Sequence, residues 1–293
     1  MTLSAFLEEV LLDSLIDFVK LLPFLFLAYL FMEFLEHKAG EKMEHAIRHA
    51  GHVGPLFGGL LGVLPQCGFS TAASGLYAGR VISLGTLIAV YLSTSDEMLP
   101  ILIAEGAPAG RILKILAVKF VIGAVAGFLI DLILRLLHGE KEHAGHIHDL
   151  CEHEGCHCEE GSIFRSALHH TLHVGSFLLL IMILLNTGVF FLGEARLASI
   201  FSSAPVVGHL LSALVGLIPN CASSVLITKL YLEGVLSAGC MLSGLLVGSG
   251  VGLLVLFRVS RRKKDAFLVL LLLFSIGAVS GMLLDLVGIG AIL

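Results

Sequence analysis

The chain has 293 residues, 57% of them hydrophobic and only 14% charged, with a formal net charge of −5 and a mean hydropathy of +0.97. A soluble domain carries about 25% charged residues, so these values exclude an ordinary soluble protein, and the acidic balance argues against nucleic acid as a partner. Long uncharged apolar runs suit spanning helices and not the weak alternation of a barrel, so the fold class is an all-α polytopic membrane protein embedded in the lipid bilayer.

Eight apolar blocks follow in chain order, at about 10–35, 54–79, 81–104, 111–137, 163–192, 205–231, 234–258 and 265–292. They predict 8–10 transmembrane segments, the higher number applying if proline divides a block. The N-terminal stretch is acidic and shows no small-residue cleavage site, so no cleavable signal peptide is predicted.

The second block contains "GVLPQCGFS", residues 62–70, and the sixth contains "GLIPNCASS", residues 216–224. Shifting the sequence by 154 superposes Gly62, Pro65, Cys67, Ser70, Leu76, Tyr77, Ser83, Gly85 and Ser95 on Gly216, Pro219, Cys221, Ser224, Leu230, Tyr231, Ser237, Gly239 and Ser249. The expected organisation is a first transmembrane repeat at 1–137, a His/Cys-rich loop at 138–162 and a second repeat at 163–293. Transporters place their substrate site between such repeats, where Gly/Pro-interrupted helices break near the bilayer midplane. Pro65 and Pro219 each remove a backbone donor and free a carbonyl, while Gln66, Asn220, Cys67 and Cys221 add amides and soft sulfur. The alternative for either motif alone is a packing device.

The third block carries "YLSTSDEMLP", residues 91–100, whose counterpart "VGSGVGLL" at 247–254 has no charge. Ionisable groups within a membrane segment are costly and mark function. Asp96 and Glu97, with Ser93, Ser95 and the Met98 thioether, form a mixed hard and soft set suited to Mn²⁺ or a neighbouring transition metal. The alternative places 96–97 at the wet end of a shortened span. Asp131 and Asp285, also 154 apart, are either proton-relay carboxylates or helix-end groups.

The central loop reads "HGEKEHAGHIHDLCEHEGCHC" over 138–158, with six histidines, three cysteines and five carboxylates. Imidazole and thiolate favour Zn²⁺ and similar ions, so His146, His148, Cys151, His153, Cys156, His157 and Cys158 form a candidate metal collector. His169, His170 and His173 follow at the start of block five. The run "FRVSRRKK" at 257–264, with five Lys/Arg, is expected on the cytoplasmic side. If every block crosses, the halves are parallel and the loop is outside; if the Pro-x-Cys segments are re-entrant, the halves are inverted.

The duplicated G-x-[LI]-P-[QN]-C motif, "STSDEMLP" and the His/Cys loop resemble the ten-transmembrane heavy-metal exporters, a group labelled arsenic efflux protein or manganese transporter and distantly similar to the ArsP permeases. The resemblance implies efflux of a metal or metalloid across the cytoplasmic membrane of a prokaryote. The ArsP-like pattern has more clustered cysteines. Three-thiolate capture of a trivalent arsenical here needs Cys240 or a loop cysteine beside Cys67 and Cys221. The leading expectation is therefore a proton-coupled secondary exporter of a divalent metal, with a trivalent-arsenical permease as the alternative. No Walker, His-Glu-x-x-His or Gly-x-Ser-x-Gly motif is present, so neither an enzyme nor a bound cofactor is expected beyond the transported ion. Small-residue pairs such as Gly75/Gly79 and Gly244/Gly248 suit close packing within the chain or in a homodimer.

Overall fold

The computed structural model describes residues 53–64, 67–95, 98–138, 163–192, 205–219, 221–260 and 263–288, with scattered helical positions between 11 and 30. The helices are α1 (Gly54–Gly62), α2 (Cys67–Ala78), α3 (Leu84–Ser93), α4 (Met98–Ala104), α5 (Ala109–His138), α6 (Ile163–Leu192), α7 (Pro205–Gly216), α8 (Cys221–Leu232), α9 (Ala238–Val247), α10 (Gly252–Val259) and α11 (Lys263–Leu286). Among the described residues there is no strand. Raised by 154, the bounds of α2 and α3 become those of α8 and α9, and the first residues of α4 and α5 become those of α10 and α11.

Local chemistry explains the shared bounds. Ser83 caps α3 by accepting from Thr86 N at 3.1 Å, and Ser237 caps α9 by accepting from Cys240 N at 3.1 Å. After α2 the chain closes with Val81 N donating to Leu76 O at 2.8 Å, and after α8 with Val235 N donating to Leu230 O at 2.9 Å. This six-to-one closure needs a left-handed residue just before it. Gly234 takes that place after α8 with φ +75°, whereas after α2 it is Arg80 with φ 57°. α1 and α7 both stop three residues before a proline, as the steric demands of proline dictate.

Glycine contacts fix the direction of each helix. A Cβ on Gly54 or Gly58 would strike Thr86, and one on Gly62 would lie 2.5 Å from Val90 O. α1 and α3 therefore run side by side in the same sense. α2, which joins the end of one to the start of the other, must turn back. α1–α2 is thus a hairpin that enters and leaves on one face of the protein. α5 runs against α3, because Gly123 meets Ala89 and Ser93 while Gly127 meets Gly85. Its 30 residues make about 45 Å of helix, enough to cross a bilayer. The second set repeats these relations: Gly216 meets Gly244, Gly281 meets Gly239, and Gly277 meets Ser243 and Val247.

The two sets face opposite ways. Ser74 Oγ donates to Gly252 O at 2.7 Å, so α10 starts beside the middle of α2. It then packs along α2 and ends where Tyr77 feels the charge of Asp265 on α11. α10 therefore leads to the face that the α1–α2 hairpin enters. Likewise α4 packs on α8 in the other half of the protein. The outer pair agrees, since Phe18 lies on Gly175 and Phe26 stacks edge-on with Phe164 at 5.2 Å, an antiparallel match of the leading helix with α6.

Burial follows from this plan. In the apolar 18-residue windows of α3–α4 and α9–α10, 69% and 83% of the residues are buried, against 17% and 28% in those of α5 and α11. The interrupted segments thus sit inside the protein and the continuous ones face lipid. Non-helical backbone at membrane depth is tolerated only in such surroundings. α5 and α11 present Leu113, Val121, Leu129, Ile133, Phe267, Leu271 and Val279 outward.

Candidate functional site

Two helix breaks, between α3 and α4 and between α9 and α10, meet in the interior beside the first turn of α8. Ser95 Oγ donates to Val63 O at 2.5 Å, which ties the first break to the tip of the α1–α2 hairpin. Ser74 Oγ bridges Ser70 O, the Tyr91 hydroxyl and Gly252 O, each at 2.7 Å, which ties the second break to α2. Gly252 approaches Ser70 so closely that a Cβ would lie 2.8 Å from the Ser70 backbone.

A narrow cleft lies where the breaks meet. Thr94, Ser95, Met98 and Lys119 line it from one set, and Ser223, Ser224, Leu245, Gly248 and Gly250 from the other. The room at its centre is about 10 Å³, the size of one water molecule or a bare ion. Lys119 is fully buried. Its Nζ donates to Thr94 O, just past the end of α3, and to Leu245 O in the last turn of α9 at 2.8 Å. The carbonyl ends of two half-helices therefore share one lysine Nζ.

Ser95 and Met98 of the predicted set are in this cleft, and so is Ser224, the register partner of Ser70. Ser93 is not. It is fully buried against Gly59, Gly62 and Gly123, and its hydroxyl has no hydrogen-bond partner among the described residues. Cys67 and Cys221 are the first residues of α2 and α8; their side chains lie outside the described residues, as do Gln66, Asn220, Asp96 and Glu97. The loop residues His146, His148, Cys151, His153, Cys156, His157 and Cys158 also lie outside them. His169 and His173 are exposed on α6, with His173 Nε2 3.5 Å from Arg258. Among the described residues no three His, Cys, Asp or Glu side chains converge to hold a metal.

Asp131 and Asp285 each sit at the N-terminus of a neighbouring helix. Asp131 accepts from Ser83 Oγ at 2.6 Å and from Gly85 N at 2.9 Å, at the N-terminus of α3. Asp285 accepts from Ser237 Oγ and from Gly239 N at 2.9 Å, at the N-terminus of α9. A Cβ on Gly85 or Gly239 would fall within 2.6 Å of the carboxylate, which is why glycine stands at both places. His209 on α7 adds its Nε2 3.2 Å from Asp285 Oδ2.

Lys119 is the functional candidate that sequence reasoning passed over. The signal was available, since a lone lysine in "AVKFVIGAVAGFLI" is an ionisable group within an apolar span. Its proximity to Arg111 and Lys114 makes it read as part of a basic helix end.

Comparison with protein families matches residues 3–189 to the family described as "Putative, 10TM heavy-metal exporter". No curated protein and no solved structure matches the chain. The match covers well over half of the chain, and the protein belongs to this heavy-metal exporter family.

Proposed function

We propose that the two helix sets are duplicated, inverted halves of a secondary transporter, and that it exports a divalent transition metal such as Mn²⁺ across the cytoplasmic membrane of a prokaryote. The convergence of two helix breaks and the first turn of α8 on one small cleft carries this reading, because broken inverted helices at mid-depth are how secondary transporters build ion sites. Asp96 and Glu97 follow Ser95 directly in sequence and supply the hard oxygens that a divalent ion requires. Exchange for protons provides the drive, with the same carboxylates taking up the returning proton.

Orientation supports export. The face at which α2 ends, α6 begins and α10 meets α11 carries Arg80, Arg135, Arg165, Arg258, Lys263 and Lys264, whereas Arg111, Lys114 and Lys229 serve the opposite one. By the positive-inside rule the first face is cytoplasmic. The His/Cys-rich segment starts and ends on that face, where it gathers metal for outward transport.

The test is uptake of radioactive manganese into everted membrane vesicles carrying the protein. Uptake that an acid-inside gradient drives supports the reading. Manganese that stays outside under every gradient, while arsenite enters, refutes it in favour of the arsenical permease.

A further inference from the structure

Lys119 Nζ sits at the carbonyl ends of two half-helices. The last carbonyls of a helix lack intrahelical partners, carry the negative end of the dipole and require a donor or a cation when buried. Thr94 O and Leu245 O are two such groups, one from each set, and both point at Lys119 Nζ. The hydroxyl-bearing residues Ser95 and Ser224 stand at the same cleft. Backbone carbonyls with hydroxyl and carboxylate oxygens make the ligand set of a hard cation, and an ammonium is a compact charge that such oxygens accept equally well.

We propose that Lys119 is the resident cation of the cleft, and that an exported metal ion replaces its ammonium at the carbonyl oxygens of Thr94 and Leu245. This rests on the cation-export reading above. A metal ion in the cleft and the ammonium that lines it repel one another at close range. In the empty transporter the ammonium holds the end of α3 to the end of α9 and so locks the two sets together. Arrival of the metal ion pushes the ammonium aside and transfers both carbonyls to the ion. Loading is thereby coupled to release of the contact that joins the sets, and Lys119 sets both affinity and selectivity against weakly bound cations.

Equilibrium dialysis of Mn²⁺, Co²⁺ and Zn²⁺ against the purified full-length protein at a single pH tests the proposal. Lys119→Leu removes the competing charge and is expected to bind Mn²⁺ at least tenfold more tightly than the wild type. Lys119→Gln keeps donors for both carbonyls, guards against a folding defect in the leucine variant, and is expected to tighten binding in the same direction. Lys114→Leu, which removes a charge outside the cleft, is expected to stay within about twofold of the wild type. Binding by Lys119→Leu and Lys119→Gln no tighter than that of the wild type overturns the proposal, since a purely structural lysine predicts loss and not gain. If neither the wild type nor any Lys119 variant binds the three ions, the cation reading itself fails and the proposal with it.

Discussion

Asp131 tests how the inner helices are held. Its carboxylate accepts from Ser83 Oγ at 2.6 Å and Gly85 N at 2.9 Å, and it is 9% exposed. Asp131→Asn keeps one acceptor oxygen for the Gly85 amide but removes the charge. Hydrogen bonds to charged groups contribute about 1.5–3 kcal/mol and neutral ones about 0.5–1.5, so two bonds lose roughly 1 kcal/mol each. The lost interaction with the α3 N-terminus adds about 0.5 kcal/mol. The expected cost is about 2.5 kcal/mol, with a similar value for Asp285→Asn at the N-terminus of α9. Unfolding by sodium dodecyl sulfate in mixed micelles, followed by circular dichroism, measures it. Metal resistance in cells should persist wherever the protein accumulates. Unchanged stability with abolished export would refute the capping role and make Asp131 a proton carrier.

Arg80 occupies the left-handed position that Gly234 fills in the second set, so Arg80→Gly should stabilise the fold by about 1 kcal/mol in the same assay. A Cβ on Gly216 would lie 2.1 Å from Gly244 O, and Gly216→Ala should cost about 3 kcal/mol, while Gly110→Ala, with open space around it, should change stability by less than about 0.5 kcal/mol. Cys67→Ser and Cys221→Ser should each leave manganese resistance largely intact; a complete loss in either would point to thiol capture of an arsenical.

The sequence conveyed the class of fold directly, because uncharged runs such as 53–79 and 234–257 have no other stable home than a membrane. Pairings such as Ser83 with Ser237 and Gly85 with Gly239 were visible as coincidences of register, and the reason for them, a carboxylate seated on a helix N-terminus, is a contact between residues 46 apart. Hairpin geometry was not legible. Whether block 54–79 crosses or returns depends on Gly54 and Gly58 meeting Thr86, and nothing local in either segment encodes that contact. The candidate site divides the same way. Ser95 and Met98 reach the cleft while Ser93 turns to Gly59 and Gly123, because the helix ends between them and helical periodicity no longer assigns faces. Lys119 was hidden for a different reason. A buried lysine gains its meaning from carbonyls at 94 and 245, and only the folded chain brings those together.

The most direct measurement is whole-cell metal content by elemental mass spectrometry after challenge with divalent metals and arsenite. Cells expressing the wild type would be compared with cells expressing Asp96→Asn or the Cys67→Ser, Cys221→Ser double variant at matched protein levels. The account predicts that the wild type lowers one divalent metal, that Asp96→Asn restores it, and that the double cysteine variant still exports. A fall in arsenic that only the double cysteine variant reverses would contradict it.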